Sequence, residues 1–355
     1  MIKNAEIFFK ARLLKLLLLS VKQDKNLPLP MITPQTKVLF IRLNRIGDAL
    51  VTTPLITAIK EKTGCIIDIL ADEKNDFVFR NLPARRKVFV YEKGVKPTRE
   101  LIAQLNLENY DIIVDTHDDV SFTVSLLCRL IRAPYKFALR KENAKIFSHT
   151  IEKPNPETMH VVERVLMMSS LFGFEADRKN ARVVYEPSEE SKQKVREFFH
   201  SRFPDSKFIV GVNISAGSEA RFWGTDKYRK LVLELQKDNI DVVLLATTRD
   251  LKHAFRITDQ RDRIFYTPKF DEFVAVMQHI NLLFSPDTST VHLASIYSVP
   301  VFGLYVKFKT KDMIWSPYGS EFDGVITESP TLMGIPFEEA SIKFKSFLEK
   351  FIPQK

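Results

Sequence analysis

KVLFIRLNRIGDALVTTPLITAIKEKTGCIIDIL, residues 37–70, places a short apolar run, a longer helical stretch and a second apolar run in succession. Val38-Leu39-Phe40-Ile41 reads as a strand, Ala49 to Lys60 as a helix and Ile66-Ile67-Asp68-Ile69-Leu70 as a second strand. Outward from this unit the alternation continues. Strands are predicted at Lys87 to Tyr91 and Asp111 to Asp115, and helices at Thr98 to Leu105 and Ser121 to Ile131, the pattern of a parallel α/β sheet. A helix is expected over Glu157 to Phe172, and Ala176 to Glu186 is less regular. A second series then begins, with strands at Phe208 to Asn213, Asp241 to Leu245, Asn281 to Ser285 and Val299 to Leu304. Its helices are predicted at Asp226 to Lys237, Asp271 to Gln278 and Thr290 to Tyr297, and Glu338 to Phe351 closes the chain. The expected architecture is therefore α/β, with two Rossmann-like domains facing a central cleft. Residues 1–35 form an N-terminal helix and linker, 36–190 the first domain and 191–355 the second, with the boundary near Pro187 to Pro204.

The composition fits this size of core: 355 residues, 45% hydrophobic and 27% charged. Cys65 and Cys128 lie within apolar segments and read as buried thiols of a reducing compartment. A net charge of +9 calls for an anionic partner. There is no zinc-finger spacing, RNA-recognition aromatic motif or long basic run, so a nucleic acid is not the expected one. The first thirty residues mix Ile7-Phe8-Phe9 and Leu13 to Leu19 with Lys10, Arg12 and Lys15. The longest unbroken apolar run, Leu16 to Leu19, is far short of the ~20 residues a bilayer span needs. Such a helix suits an anionic membrane surface, giving a peripheral contact through residues 1–25; at helical period its charges are scattered, and packing on the protein's own surface is the alternative.

In parallel sheets ligands bind beyond the carboxyl ends of the strands, so the loops there carry the candidate chemistry. After the first strand comes Arg42-Leu43-Asn44-Arg45-Ile46-Gly47-Asp48. Gly47 permits a tight turn, and Asp48 is either a helix cap or a carboxylate placed to take a proton from an attacking hydroxyl. The strand ending at Asn213 runs into Ile214-Ser215-Ala216-Gly217-Ser218-Glu219-Ala220-Arg221, where small residues admit a phosphate and Arg221 neutralises it. Ser285-Pro286-Asp287-Thr288-Ser289-Thr290 leads into a short helix whose unpaired N–H groups and hydroxyls suit an anion. Asp287 would fix that loop or meet sugar or ribose hydroxyls, and His292 would either reach a phosphate oxygen or pack. Asp115-Thr116-His117-Asp118-Asp119 offers a competing constellation for a divalent metal; His117 or Asp118 in an acceptor pocket is preferred to it.

Val38 to Pro54 together with Asp287 to Pro300 resembles glycosyltransferase family 9, the bacterial ADP-heptose lipopolysaccharide heptosyltransferases, and the likeness runs over most of the chain from Lys37 onward. Supporting segments are Tyr110-Asp111-Ile112-Ile113-Val114-Asp115-Thr116-His117, His160-Val161-Val162-Glu163-Arg164 and Trp315-Ser316-Pro317-Tyr318-Gly319. The resemblance implies a GT-B fold, inversion at the anomeric carbon, and neither metal nor other cofactor. By the same resemblance Asp48 matches the general base. Arg221 matches the phosphate-binding lysine, Ala216 and Gly217 the donor-phosphate turn, and Asp287, Thr288, Ser289, Thr290 and His292 the nucleotide-diphosphate loop. Asp250 is a candidate for ribose hydroxyls, and Arg42, Asn44, His117, Asp118 and Arg140 for the acceptor. The implied partners are a nucleotide-diphosphate sugar and an anionic glycolipid. Lys136, Arg140, Lys141 and Lys145 are placed to meet the glycolipid's acidic groups, at the cytoplasmic face of the bacterial inner membrane.

The sequence also departs from the family pattern. Ser289 stands where glycine is usual, Asn213-Ile214-Ser215 where His-Pro-Gly is frequent, and Val306-Lys307-Phe308 where Gly-Pro-Thr is common. Two other readings therefore stay open: transfer from a different nucleotide sugar, and a non-catalytic protein that binds a sugar nucleotide or glycolipid.

Overall fold

The computed structural model describes residues 12–19, 21 and 27–352. The rest of the N-terminal stretch, including Ile7-Phe8-Phe9 and Lys10, lies outside the described residues, so only part of the expected membrane-contact segment can be followed. The chain forms two compact units, the first ending at Tyr185 and the second beginning at Glu186.

The first unit carries β1 (Lys37–Ile41), β2 (Ile66–Asp72), β3 (Lys87–Tyr91), β4 (Ile112–Asp115), β5 (Tyr135–Leu139) and β6 (His149–Ile151). They form one sheet in the order β3-β2-β1-β4-β5-β6, parallel at every pairing. Val38 to Ile41 are fully buried, as a strand covered by helices on both faces must be. The second unit carries β7 (Ile209–Asn213), β8 (Asp241–Ala246), β9 (Ile264–Tyr266), β10 (Leu282–Pro286), β11 (Val301–Val306) and β12 (Phe322–Thr327). Its sheet runs β12-β11-β10-β7-β8-β9 and is also parallel throughout. Counted from its own first strand, the second sheet repeats the order of the first. In each, strand order reverses beside the first strand, between β1 and β4 and between β7 and β10. At such a switch point the neighbouring crossovers leave in opposite directions and open a crevice beyond the strand ends. The loops 42–48, 116–121, 214–223 and 287–289 all issue from these two points.

The helix Ile46–Thr63 follows β1 and ends in a left-handed Gly64, φ 70°, whose N–H bonds to Lys60 O at 2.9 Å. Arg45 occupies the N-cap position and Asp48 is the third helical residue, so Asp48 does not open the helix as expected. The second unit has an aromatic core in which Trp223, Tyr228, Phe284, Phe302 and Phe344 are all fully enclosed.

The central elements lie where the pattern predicts them, and the periphery differs. The strands β5, β6, β9 and β12 and the helices Asp76–Arg80, Glu189–Arg202 and Leu251–Ile257 were not expected. The expected helix over Glu157 to Phe172 is a short α-helix, Val161–Leu166, followed by a 3-10 segment, Met167–Phe172. The stretch read as a boundary between Pro187 and Pro204 is largely the helix Glu189–Arg202, capped by Ser188, whose hydroxyl accepts the Ser191 N–H at 3.3 Å. Residues 12–19 are helical, with Leu14 buried and Leu17 and Leu18 packed on the first unit's core. Arg12, Lys15, Leu16 and Leu19 are exposed, and at helical spacing these four share one face. Within this segment the two charges are therefore gathered rather than scattered.

Candidate active site

In the first unit three side chains hold the backbone after β1. Arg42 O accepts from Asn75 Nδ2 at 3.1 Å, the Leu43 N–H donates to His117 Nε2 at 3.1 Å, and the Asn44 N–H donates to Asp72 Oδ2 at 3.0 Å. Asn44 takes a left-handed conformation, φ 83°, one that asparagine tolerates better than most residues. The Arg42 side chain is 5% exposed. Its guanidinium donates to Thr116 O at 2.5 Å and to Asp48 O at 3.1 Å, and it pairs with Asp48 Oδ1 at 3.1 Å. Arg42 is thus spent inside the protein instead of facing an acceptor. Asp48 stays 19% exposed, so one side of its carboxylate is fixed by a buried cation and the other meets solvent.

The loop after β4 supplies the support. Asp115 is buried between two partners, with Lys141 Nζ 2.8 Å from Oδ2 and His117 Nδ1 2.7 Å from Oδ1. Burial raises the Asp115 carboxyl, but Lys141 and His117 overcome it and hold the group well below the usual carboxylate range. Lys141 also donates to His117 O at 2.6 Å. Asp118 Oδ2 accepts from the buried Arg164 at 2.6 Å. Arg140 is exposed and pairs with Glu152 at 2.7 Å. Lys136 donates inward to Cys128 O and Ile131 O, at the end of the helix Phe122–Leu130. Of the four basic residues expected to meet an acidic acceptor, Lys136 and Lys141 are therefore engaged internally, and Arg140 and Lys145 lie at the surface. Asp115 and His117 bind each other rather than converging on a vacant point. Among the described residues no group of three or more His, Cys, Asp or Glu side chains is placed to hold a metal ion.

In the second unit the loop after β7 is built on side-chain amide and hydroxyl bonds. Asn213 Nδ2 donates to Ser285 Oγ at 3.0 Å, and Asn213 Oδ1 accepts the Ser215 N–H at 3.0 Å. The Ser215 and Thr247 hydroxyls both donate to Asp250 Oδ2, at 2.7 and 2.8 Å. Burial raises the Asp250 carboxyl, yet those hydroxyls and Arg249 outweigh it and lower its pKa. Asp250 accordingly ties the 214–217 turn to β8, and the ribose contact expected of it has no support in this arrangement. Arg249 also donates to Ala216 O. Gly217 has no atom within 4 Å of the place a Cβ would take, which leaves the turn open.

Arg221 Nε lies 3.2 Å from Asp287 Oδ2, joining the loops after β7 and β10. Burial raises the Asp287 carboxyl, and Arg221 opposes that only in part. Two residues beyond Arg221, the fully buried Trp223 donates from Nε1 to Ile335 O at 3.1 Å and fixes the loop's far end. Ser289 stands at the N-cap of the seven-residue helix Thr290–Ile296 without a side-chain cap bond. Thr288 Oγ1 accepts the Thr290 N–H at 3.3 Å. Thr290 is buried, and so is His292, whose ring lies 6.0 Å from that of Trp315, so its geometry is that of a packed histidine.

Asp48, Arg221 and Asp287 stand beside the strand ends that the sequence pattern marks, Asp48 in the first helical turn after β1, Arg221 after β7 and Asp287 after β10. Lys141, Arg164, Asn75, Thr247 and Ser285 were missed as supports, because Asp115, Asp118, Arg42, Ser215 and Asn213, which they respectively bond, are distant in sequence and only the fold brings them together.

Two α/β units, each built on an all-parallel six-stranded sheet with charged and hydroxyl side chains at its switch point, give a two-domain fold of the GT-B kind. Residues 98–332, more than half of the chain, match the sequence profile of glycosyltransferase family 9 (heptosyltransferase), and the protein belongs to that family. It is 23% identical over 311 residues to lipopolysaccharide heptosyltransferase 3 of Escherichia coli, covering 80% of this chain and 88% of that one. A glycosyl transferase family 9 structure from Veillonella parvula has a TM-score of 0.78 at 17% identity, covering 91% of this chain and all of that one. The E. coli heptosyltransferase WaaC, solved with ADP-2-deoxy-2-fluoro heptose, has a TM-score of 0.69 at 17% identity, covering 89% and 99%. These structures share the fold, and the protein is a glycosyltransferase.

Proposed function

We propose that the protein transfers a heptose from ADP-heptose to a lipopolysaccharide-core type acceptor, with inversion and without a metal ion. Asp48 acts as the general base, the first unit receives the acceptor and the second holds the donor. The observation that carries this reading is the Asp48 carboxylate, gripped on one side by buried Arg42 and open on the other. A base held in that way needs little reorganisation when the proton moves. The acceptor oxygen gives its proton to Asp48 and bonds to the anomeric carbon as the bond from that carbon to the diphosphate oxygen breaks on the opposite face. Charge grows on the departing diphosphate, and Arg221, paired with Asp287 before the donor arrives, turns to it. The Ala216-Gly217 turn and the hydroxyls of Thr288 and Ser289 complete its surroundings. Asp118, held through Oδ2 by Arg164 and with its buried Oδ1 lacking a hydrogen-bond partner among the described residues, is the proposed acceptor ligand of the first unit. A lipid-bearing acceptor and the charged outward face of the N-terminal helix support a working place on the inner face of the cytoplasmic membrane.

Asp48→Asn is the test. Turnover should fall by about 10²- to 10⁴-fold, while thermal stabilisation by ADP stays as in the parent protein. Across ADP, GDP, UDP and CDP the largest shift is expected with ADP. Unchanged turnover removes Asp48 from the mechanism, and a larger shift with another base points to a different donor. The Ser289 side chain, standing where relatives usually have glycine, favours that second reading over the first only on such a result. Nucleotide binding with no transfer by the parent protein would leave the non-catalytic reading.

A further inference from the structure

We propose that His117 is a positioning residue for Asp48, acting through the backbone of Leu43 as a neutral imidazole with its hydrogen on Nδ1. The inference rests on Asp48 being the base. A backbone N–H can only donate, so the 3.1 Å contact from Leu43 N requires a bare lone pair on His117 Nε2. The Asp115 carboxylate 2.7 Å from Nδ1 requires a hydrogen there. Together the two contacts select one tautomer, and protonation at Nε2 would turn that hydrogen toward the Leu43 N–H. Both ring nitrogens are occupied, so the imidazole has nothing left with which to bind an acceptor.

The ring is itself held. Asp115 accepts the His117 N–H at 3.0 Å as well as the ring hydrogen, and Lys141 pairs with Asp115 and bonds His117 O. The order of support thus runs from Lys141 to Asp115, to His117, to Leu43, and Leu43 is flanked by Arg42, which grips Asp48. Thr116, between Asp115 and His117, accepts from Arg42 Nη1, so the same loop fixes the backbone and the guanidinium that aim the base. Removing the Nε2 acceptor leaves a buried N–H without a partner and frees the turn to move, and a displacement of ~1 Å in such a site costs about 10²-fold in rate.

The experiment joins spectroscopy to kinetics. In protein labelled with ¹⁵N-histidine, the resonance that disappears in His117→Gln should report the neutral Nδ1–H tautomer near pH 7; an Nε2–H or doubly protonated ring overturns the proposal. His117→Leu should lower kcat by about 10- to 100-fold with the donor KM and the ADP thermal shift unchanged. His117→Gln, whose amide oxygen can accept from Leu43, should recover most of that loss. Equal loss in both variants, or loss confined to acceptor KM, overturns the positioning role. If Asp48→Asn abolishes turnover while His117→Leu retains it, only this inference fails; if Asp48→Asn retains turnover, the base and its support fail together.

Discussion

Asp115 carries a balance of opposed effects. Full burial raises its carboxyl, while Lys141 and His117 pull it well below the ordinary range. Because its folded pKa is depressed below the unfolded value of about 3.9, the carboxylate contributes stability that is fully present above that pH. The contribution is lost as the pH falls from there toward the folded pKa. Asp115→Asn leaves the buried Lys141 ammonium uncompensated, for which a cost of about 3–5 kcal/mol is expected at pH 7. Urea unfolding of both proteins at pH 7 and again below pH 4 should show that difference shrinking in acid; a constant difference would mean that packing alone accounts for it. At this scale the sequence shows which residues can do chemistry but not which are already occupied. Arg42 and His117 looked like acceptor ligands because both follow strands on candidate loops, and Arg42 proved to be bound to Thr116 and Asp48, His117 to Leu43 and Asp115. The pairings of Arg42 with Thr116 and of His117 with Leu43 span β1 and β4, whose adjacency is a property of the sheet, not of any local motif.

The helix Ile46–Thr63 shows how an element absorbs an awkward residue. Pro54 lies inside it and has no N–H to offer Leu50 O. The Thr53 hydroxyl donates to that carbonyl instead, at 2.7 Å, and accepts the Val184 N–H at 2.9 Å. One side chain therefore repairs the helix and fastens the irregular strap that ends the first unit. Thr53→Val keeps the volume and removes both bonds, leaving a buried carbonyl and an N–H unpaired; about 1–3 kcal/mol of stability should be lost. The urea midpoint should fall with an unchanged slope, and an unchanged midpoint would refute the double role. The core elements were legible because strands buried on both faces are unbroken apolar runs. The missed strands are peripheral: β12 buries only Val325 of its six residues, and β9 has only three. The helix Glu189–Arg202 escaped because it buries only Ser191, Val195 and Phe199, a stripe too thin to stand out from its charges.

At the scale of the whole molecule, the net charge of +9 needs an outlet, and the first unit does not spend it as expected, since Lys141 and Lys136 are engaged internally. Among the described residues no helix is long and apolar enough to cross a membrane. The helix at 12–19 packs Leu14, Leu17 and Leu18 inward, while Arg12, Lys15, Leu16 and Leu19 form an exposed outer stripe, the surface on which the proposed membrane contact would fall. Full burial of a leucine is worth about 1.5–3 kcal/mol, and each cation near an anionic surface adds about 1 kcal/mol. Two of each give a reversible attachment, which suits the proposed peripheral enzyme. The double substitution Leu16→Gln with Leu19→Gln leaves the packed face intact, so the melting temperature should hold. Partition onto phosphatidylglycerol vesicles should drop about tenfold or more, since ~1.4 kcal/mol is a factor of ten. Raising the salt should weaken binding of both proteins by screening the cations. If sedimentation with vesicles is the same for the variant and its parent, the outer stripe does not touch the membrane, and the positive charge must be directed at the acceptor alone.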